Sequence, residues 1–146
     1  MSRENPKLNL LNYEYSNDQL TNLSKYKQFE YVYDELSDIL AATDTVITRG
    51  GSNAIFEFLA LNIPMLIIPL GLNQSRGDQI LNARVFQNEG YSLTLEEENL
   101  TSKTLMENLN TVYKNREKYQ KNMKESYNGE ALQTLVTEIN KVNTIR

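Results

Sequence analysis

Two short stretches hold most of the side chains that could do chemistry. The first runs Arg49-Gly50-Gly51-Ser52 into Asn53 and Ala54, with a single acid, Glu57, one turn further on. The second, Leu72 to Ala83, packs Asn73, Gln74, Ser75, Arg76, Asp78 and Gln79 close together. Glycines before a helix let backbone approach a ligand closely, and the helix start offers free N–H groups and a partial positive charge. A pyrophosphate is the natural guest of such a turn. Planar amides and carboxylates, as in the second stretch, suit a polyhydroxylated ligand. Each stretch also has a plainer reading. The first is then an ordinary tight turn with a water-facing Glu57, and the second a solvated loop in which Asp78 caps a helix.

The elements around these stretches decide where they stand. Thr45 to Thr48 is a short β-branched strand leading into the first turn, and Ser52 or Asn53 is expected to cap the helix that follows. That helix buries Ile55, Phe58 and Leu59 and ends at Asn62 in a left-handed position before Ile63-Pro64. Met65 to Leu70 is a continuous apolar run, the mark of a strand covered on both faces. The second loop then leads into a helix from about Asp78 to Asn88, closed by Gly90, and Tyr91 to Leu95 supplies a further strand. Upstream, Lys7 to Tyr15 and Phe29 to Tyr33 read as strands around a polar segment, Ser16 to Lys27. Asp34 is placed to cap a helix with the stripe Leu36, Ile39 and Leu40. From Thr101 helical patterns dominate, broken near Asn128-Gly129, and the acidic run Glu96-Glu97-Glu98 reads as a solvated turn. Strands alternating with helices predict an α/β fold with a parallel sheet. In such sheets ligands bind at the carboxyl ends of the strands, where both stretches fall.

Composition narrows the chemistry. The chain has 146 residues, about one domain, and its net charge of -4 disfavours binding to nucleic acid, which needs a basic face. It contains no cysteine and no histidine. This removes disulfides, thiolate metal sites and the commonest general base, and it fits a reducing cytoplasm. No metal and no cofactor is expected, and no residue stands out as catalytic. No apolar run approaches the ~20 residues that span a bilayer, and MSRENPKLNL does not read as a signal peptide.

Taken jointly, "ITRGGSNAIFEFLALNIPMLIIPLG" and the following "GDQILNA" and "GY" resemble the donor-binding half of the MurG-type UDP-N-acetylglucosamine transferases. That family adds N-acetylglucosamine to lipid I to make lipid II for peptidoglycan. The resemblance is strongest over residues 25–121. It implies a Rossmann-like sheet with flanking helices, the C-terminal half of a GT-B glycosyltransferase, as a single partial donor-binding domain over 1–146. It further implies that Glu57 accepts hydrogen bonds from the ribose hydroxyls of UDP. Backbone around Ser52, Asn53 and Ala54 would hold the diphosphate beside Arg49, Gly50 and Gly51. The strand end Ile47 to Arg49 would lie near the uracil edge. Asp78 and Gln79 would meet the sugar hydroxyls, with Asn82 supporting their loop.

The family's acceptor domain, its membrane-facing patch and its base have no counterpart in these residues, so the chain alone is expected not to transfer sugar. It is also expected to start at the second strand of the donor domain, which would leave Lys7 to Tyr15 and Thr45 to Thr48 bordering a gap. Contact with the inner face of the plasma membrane would then come only through the other half. Two alternatives stand beside this reading: a split subunit that needs a separate acceptor chain, and a non-catalytic nucleotide-sugar-binding module.

Overall fold

In a computed structural model of the chain, residues 3–4, 25–72, 77–126 and 137 are described. The expected strand Lys7 to Tyr15, most of the segment Ser16 to Lys27, residues Asn73 to Arg76 and the break near Asn128-Gly129 lie outside them. The chain divides into two compact units, Met1–Ala42 and Thr43–Arg146.

In the first unit, β1 (Arg3–Glu4) pairs antiparallel with β2 (Phe29–Tyr31), Arg3 opposite Tyr31 and Glu4 opposite Phe29. This corrects the expectation of parallel strands throughout. Every residue of β2 is exposed, and a strand with solvated faces suits antiparallel pairing better than a doubly covered parallel sheet. The helix α1 (Leu36–Ala41) begins after Glu35, with no side-chain cap at that position, so Asp34 does not take the capping place expected of it. Its stripe is not sealed either, because Leu36 is 40 % and Ile39 38 % exposed.

The second unit is built on a sheet of three parallel strands in the order β3 (Val46–Thr48), β4 (Met65–Ile67), β5 (Ser92–Thr94). Val46, Met65 and Ser92 are level with one another, and Thr48, Ile67 and Thr94 close the register two residues on. The helix α2 (Ser52–Ala60) joins β3 to β4, and α3 (Asp78–Asn88) joins β4 to β5. After β5 come a short 3-10 turn (Glu97–Asn99), α4 (Ser102–Lys114) and α5 (Arg116–Ser126). The parallel α/β architecture read from the sequence is therefore present. Among the described residues β3 is an end strand of this sheet.

The central strand explains the unbroken apolar run. Successive side chains of a strand point to opposite faces. Met65 and Ile67 accordingly join Ile55, Leu59, Ala83, Phe86, Tyr91 and Met123 in one buried cluster. Leu66 and Ile68 join Leu95 and Val112 in the other, with Leu105 and Leu109 of α4 packed against it. Both faces of β4 need apolar residues because both are covered. Each large side chain buried this way stabilises the fold by roughly 1.5–3 kcal/mol. Phe86 is wholly buried between the rings of Phe56 and Tyr91, edge to face at 5.6 and 5.5 Å.

Two helix ends fix the turns into the sheet. Asn62 takes a left-handed conformation at φ 57°, and Ile63 N–H bonds back to the Phe58 carbonyl at 3.0 Å, as expected of a helix closing before Pro64. Gly90, at φ 80°, closes α3 in the same manner, with Tyr91 N–H on the Phe86 carbonyl at 3.0 Å.

Candidate functional site

The carboxyl ends of β3 and β4 carry the residues of interest, and the two glycines after β3 differ in what they do. Gly50 is buried at φ 93°. A Cβ there would come within 3.0 Å of the Ile67 side chain and 3.3 Å of the Gln79 carbonyl. Gly50 is therefore demanded by packing, since the turn after β3 is pressed against β4 and the first turn of α3. Its carbonyl accepts a hydrogen bond from the buried amide of Asn82 at 3.0 Å. Asn82 thus supports the turn of the first stretch, not its own loop alone.

Gly51 is a different case. Its backbone is extended (φ -62°, ψ 135°), and a Cβ placed on it would meet nothing within 4 Å. It is the N-cap of α2 and offers no side chain for the purpose, while neither Ser52 nor Asn53 takes the capping role expected of it. Ile55 N–H is bonded to the Gly51 carbonyl at 3.1 Å. The N–H groups of Ser52, Asn53 and Ala54 come before the helical ladder, which leaves them for a partner from outside. The result, among the described residues, is a helix start without a side-chain cap and with nothing within 4 Å of where a Gly51 side chain would stand.

Glu57 lies about 7–8 Å further along the α2 axis from Ser52, at 1.5 Å per residue. It is exposed and shares the solvent face with Asn53, four residues earlier, while Ile55 and Leu59 enter the core. Its carboxylate has no hydrogen bond or ion pair among the described residues.

At the end of β4 the loop is gripped by side chains from elsewhere. Leu70 N–H donates to Gln79 Oε1 at 2.9 Å, which leaves the amide NH2 of Gln79 as a donor group. Gly77, left-handed at φ 87°, is the N-cap of α3. Asp78 therefore sits inside the first helical turn, where its charge complements the helix dipole, and does not cap the helix. The structure brings Gly50 and Gln79 together, and among the described residues no hydrogen bond joins the Glu57 carboxylate to either. Asn73 to Arg76 lie outside the described residues.

One residue of this site was not singled out from the sequence. Glu97, read as part of a solvated turn, is half-buried and forms an ion pair with Arg49. Its other oxygen accepts from Gly71 N–H at 3.2 Å. The Arg49 guanidinium holds its carboxyl below the usual carboxylate range, helped by the Gly71 N–H and opposed by slight burial. The signal was available: an acid directly after the third parallel strand emerges at the same sheet end as the other two loops. A hollow of about 410 Å³ lies beside this pair, lined in part by Pro69, Leu72, Ile80 and Arg84. Among the described residues no cluster of three or more potential metal ligands exists, and no helix is long and apolar enough to cross a membrane.

Comparison with known proteins gives a consistent relationship. Residues 4–139 match the model of the glycosyltransferase family 28 C-terminal domain. A UDP-N-acetylglucosamine--N-acetylmuramyl-(pentapeptide) pyrophosphoryl-undecaprenol N-acetylglucosamine transferase from Shouchella clausii is 64% identical over 94 residues, 64% of this chain and 27% of the relative. Transferases of the same description from Staphylococcus carnosus and Geobacillus thermodenitrificans are 56% and 52% identical, covering 74% and 83% of this chain. The match falls on the C-terminal part of these relatives, and the chain spans at most 33% of their length. Among solved structures, the glycosyltransferase SnogD from Streptomyces nogalater is similar over 74% of this chain and 28% of its own, at 22% identity and a TM-score of 0.44.

Proposed function

The chain belongs to the glycosyltransferase family 28 C-terminal domain family, and from that premise we propose that it binds a uridine diphosphate sugar. UDP-N-acetylglucosamine is the donor named by the relatives' descriptions. The observation that carries this reading is the uncapped start of α2, where a glycine leaves open space and three N–H groups have no helical partner. The diphosphate caps that helix, with Ser52, Asn53 and Ala54 supplying N–H groups and Arg49 a flanking charge. Gly50 and Gly51 form the turn that lets the phosphates approach. Glu57, exposed on the next turn and without a hydrogen bond or ion pair at its carboxylate among the described residues, takes the ribose hydroxyls, since an ionised carboxylate accepts two at once. Asp78 and the free amide edge of Gln79 face the sugar.

Transfer to a lipid-linked muramoyl-pentapeptide, the reaction in the relatives' descriptions, belongs to proteins of which the matched part is 27% to 33%. In this proposal the chain acts as the donor half of such a reaction. The catalytic base and the acceptor site come from outside these residues, whether from an acceptor domain or a second chain. The place of action is then the cytoplasmic side of the membrane, where nucleotide sugars are found.

Calorimetric titration of the chain with UDP-N-acetylglucosamine, UDP, ADP and GDP tests the reading. Uridine nucleotides are expected to bind and the purine diphosphates to bind far more weakly. Equal binding of all three diphosphates would remove the uridine assignment.

A further inference from the structure

Glu97 lies outside both stretches that carry the proposed ligand contacts, yet its carboxylate holds a side chain of the first and the residue just before the second. One oxygen accepts from Arg49 Nη2, beside the turn after β3, and the other from Gly71 N–H at 3.2 Å, at the end of β4. Gln79 and Asn82 each grip one of these loops, through Leu70 and Gly50 respectively. Glu97 grips both.

A carboxylate beside a site for an anion needs a reason, because an unpaired one would repel the guest. Pairing removes the objection and adds an advantage. A guanidinium is planar with five N–H donors in a fixed fork, so holding it at Nη2 sets the plane of the donors that remain. Arg49 is 43% exposed, and without Glu97 its long side chain would sample many rotamers. Gly71 has a matching constraint, since a Cβ there would lie 3.3 Å from the Glu97 oxygen.

We propose that Glu97 is a positioning residue of the donor site, fixing the Arg49 guanidinium beside the α2 start and tying the loops after β3 and β4 in one arrangement. The ligand side of this inference rests on the UDP-sugar reading above. Glu97 itself touches no substrate. It acts through Arg49, on the phosphate part of the ligand alone.

The test uses the whole chain and the variants Glu97→Gln, Arg49→Ala and their combination. Glu97→Gln keeps the size and an acceptor for Gly71 and removes the charge. In the ligand-free chain, nitrogen-15 NMR is expected to show slowed rotation at the Arg49 guanidinium, lost in Glu97→Gln. In titrations, Glu97→Gln is expected to weaken UDP binding about three- to fivefold, the scale of a part-exposed ion pair, and to leave uridine binding unchanged. In the Arg49→Ala background Glu97→Gln should cost nothing further. An Arg49 signal indifferent to Glu97, or an equal loss of UDP and uridine binding, would overturn the positioning role. An unsubstituted chain with a fixed Arg49 that binds no UDP would overturn the donor reading instead.

Discussion

The starts of α2 and α4 meet one physical demand in opposite ways. Every helix begins with N–H groups that its own ladder cannot reach. At α4 the chain satisfies two of them itself with side chains: Thr104 N–H bonds to Thr101 Oγ1 at 3.1 Å, and Thr101 N–H bonds to Thr104 Oγ1 at 2.8 Å. The reciprocal box fills the N-cap and N3 places and leaves Ser102 and Lys103 N–H alone outside it. At α2 a glycine stands where the cap belongs, and no side chain replaces it. Against glycine a capping side chain is worth only a few tenths of a kcal/mol, so the open start forgoes little stability for the place it leaves. The difference teaches where to look for a ligand. A helix start that is closed is finished, and one that is open beside empty space has room for an anion.

The largest effect that would break this comparison lies one residue before the open start. Gly50→Ala must hold a left-handed φ of 93° and push its methyl to 3.0 Å from Ile67 and 3.3 Å from the Gln79 backbone. Strain and overpacking together should destabilise the chain by about 2–4 kcal/mol. Gly51→Ala, with nothing within 4 Å, should change stability by only a few tenths. Denaturant melts of the two variants check this. Similar losses in both would mean that the two glycines share one structural job and the open space has no meaning.

Next in size are effects on the guest. Glu57→Ala should weaken UDP binding by roughly 1.5–3 kcal/mol, about tenfold to hundredfold, with an unchanged melt because the exposed carboxylate has no hydrogen bond or ion pair among the described residues. Gly51→Asp sharpens the contrast further by giving α2 the kind of cap α4 has. The free chain should gain a few tenths of a kcal/mol, and UDP affinity should fall by about tenfold or more as the new carboxylate occupies the anion's place. Titration and melting of one preparation read both signs. A variant that gains stability and still binds UDP as before would show that the α2 start is not where the diphosphate goes.

Much of the fold was legible in the sequence for local reasons. The run Met65 to Leu70 announces a strand covered on both faces, and Asn62 before Ile63-Pro64 announces its helix end. The helix Asp78–Asn88 stands within the bounds its pattern suggests. What failed did so where the answer is not local. Capping of α2 depends on the extended backbone at Gly51, which composition does not show. The direction of β2 depends on its partner Arg3–Glu4, two residues too short to carry a periodic signal. Glu97 and Arg49 are 48 residues apart, and an acid in an acidic run looks solvated until the strand ends are brought together. In the candidate site the glycine turn and the second loop were visible as residue types. Their division of labour, Gly50 for packing and Gly51 for space, required coordinates.

A smaller effect tests the closed start. Thr101→Ala removes one half of the box and should cost about 1 kcal/mol of stability with no change in UDP affinity. Thr104→Ala removes the other acceptor and should cost a similar amount. The two losses should not add, because each residue acts through the other. Additive losses, or any change in ligand binding, would mean that α4 is not the isolated, self-satisfied element this contrast requires.

The smallest expected effect concerns the ion pair flanking the open start. Glu97 has its carboxyl held below the ordinary value, which is about 4.3, chiefly by Arg49. The folded state therefore binds this proton less readily than the unfolded one. The pair's contribution is present in full above about pH 5 and is lost as the pH falls through the lowered folded-state value. Arg84, Glu96 and Glu98 line the same hollow, and many other carboxylates titrate over this range, so the melting temperature of one protein cannot isolate Glu97. The difference between the unsubstituted chain and Glu97→Gln can. It should be small and positive near neutral pH, since a part-exposed pair is screened by water and salt, and should shrink toward zero below about pH 4. A difference that persisted at low pH would trace the effect of Glu97 to shape instead of charge. Arg49 would then not owe its place beside the open helix start to the charge of Glu97.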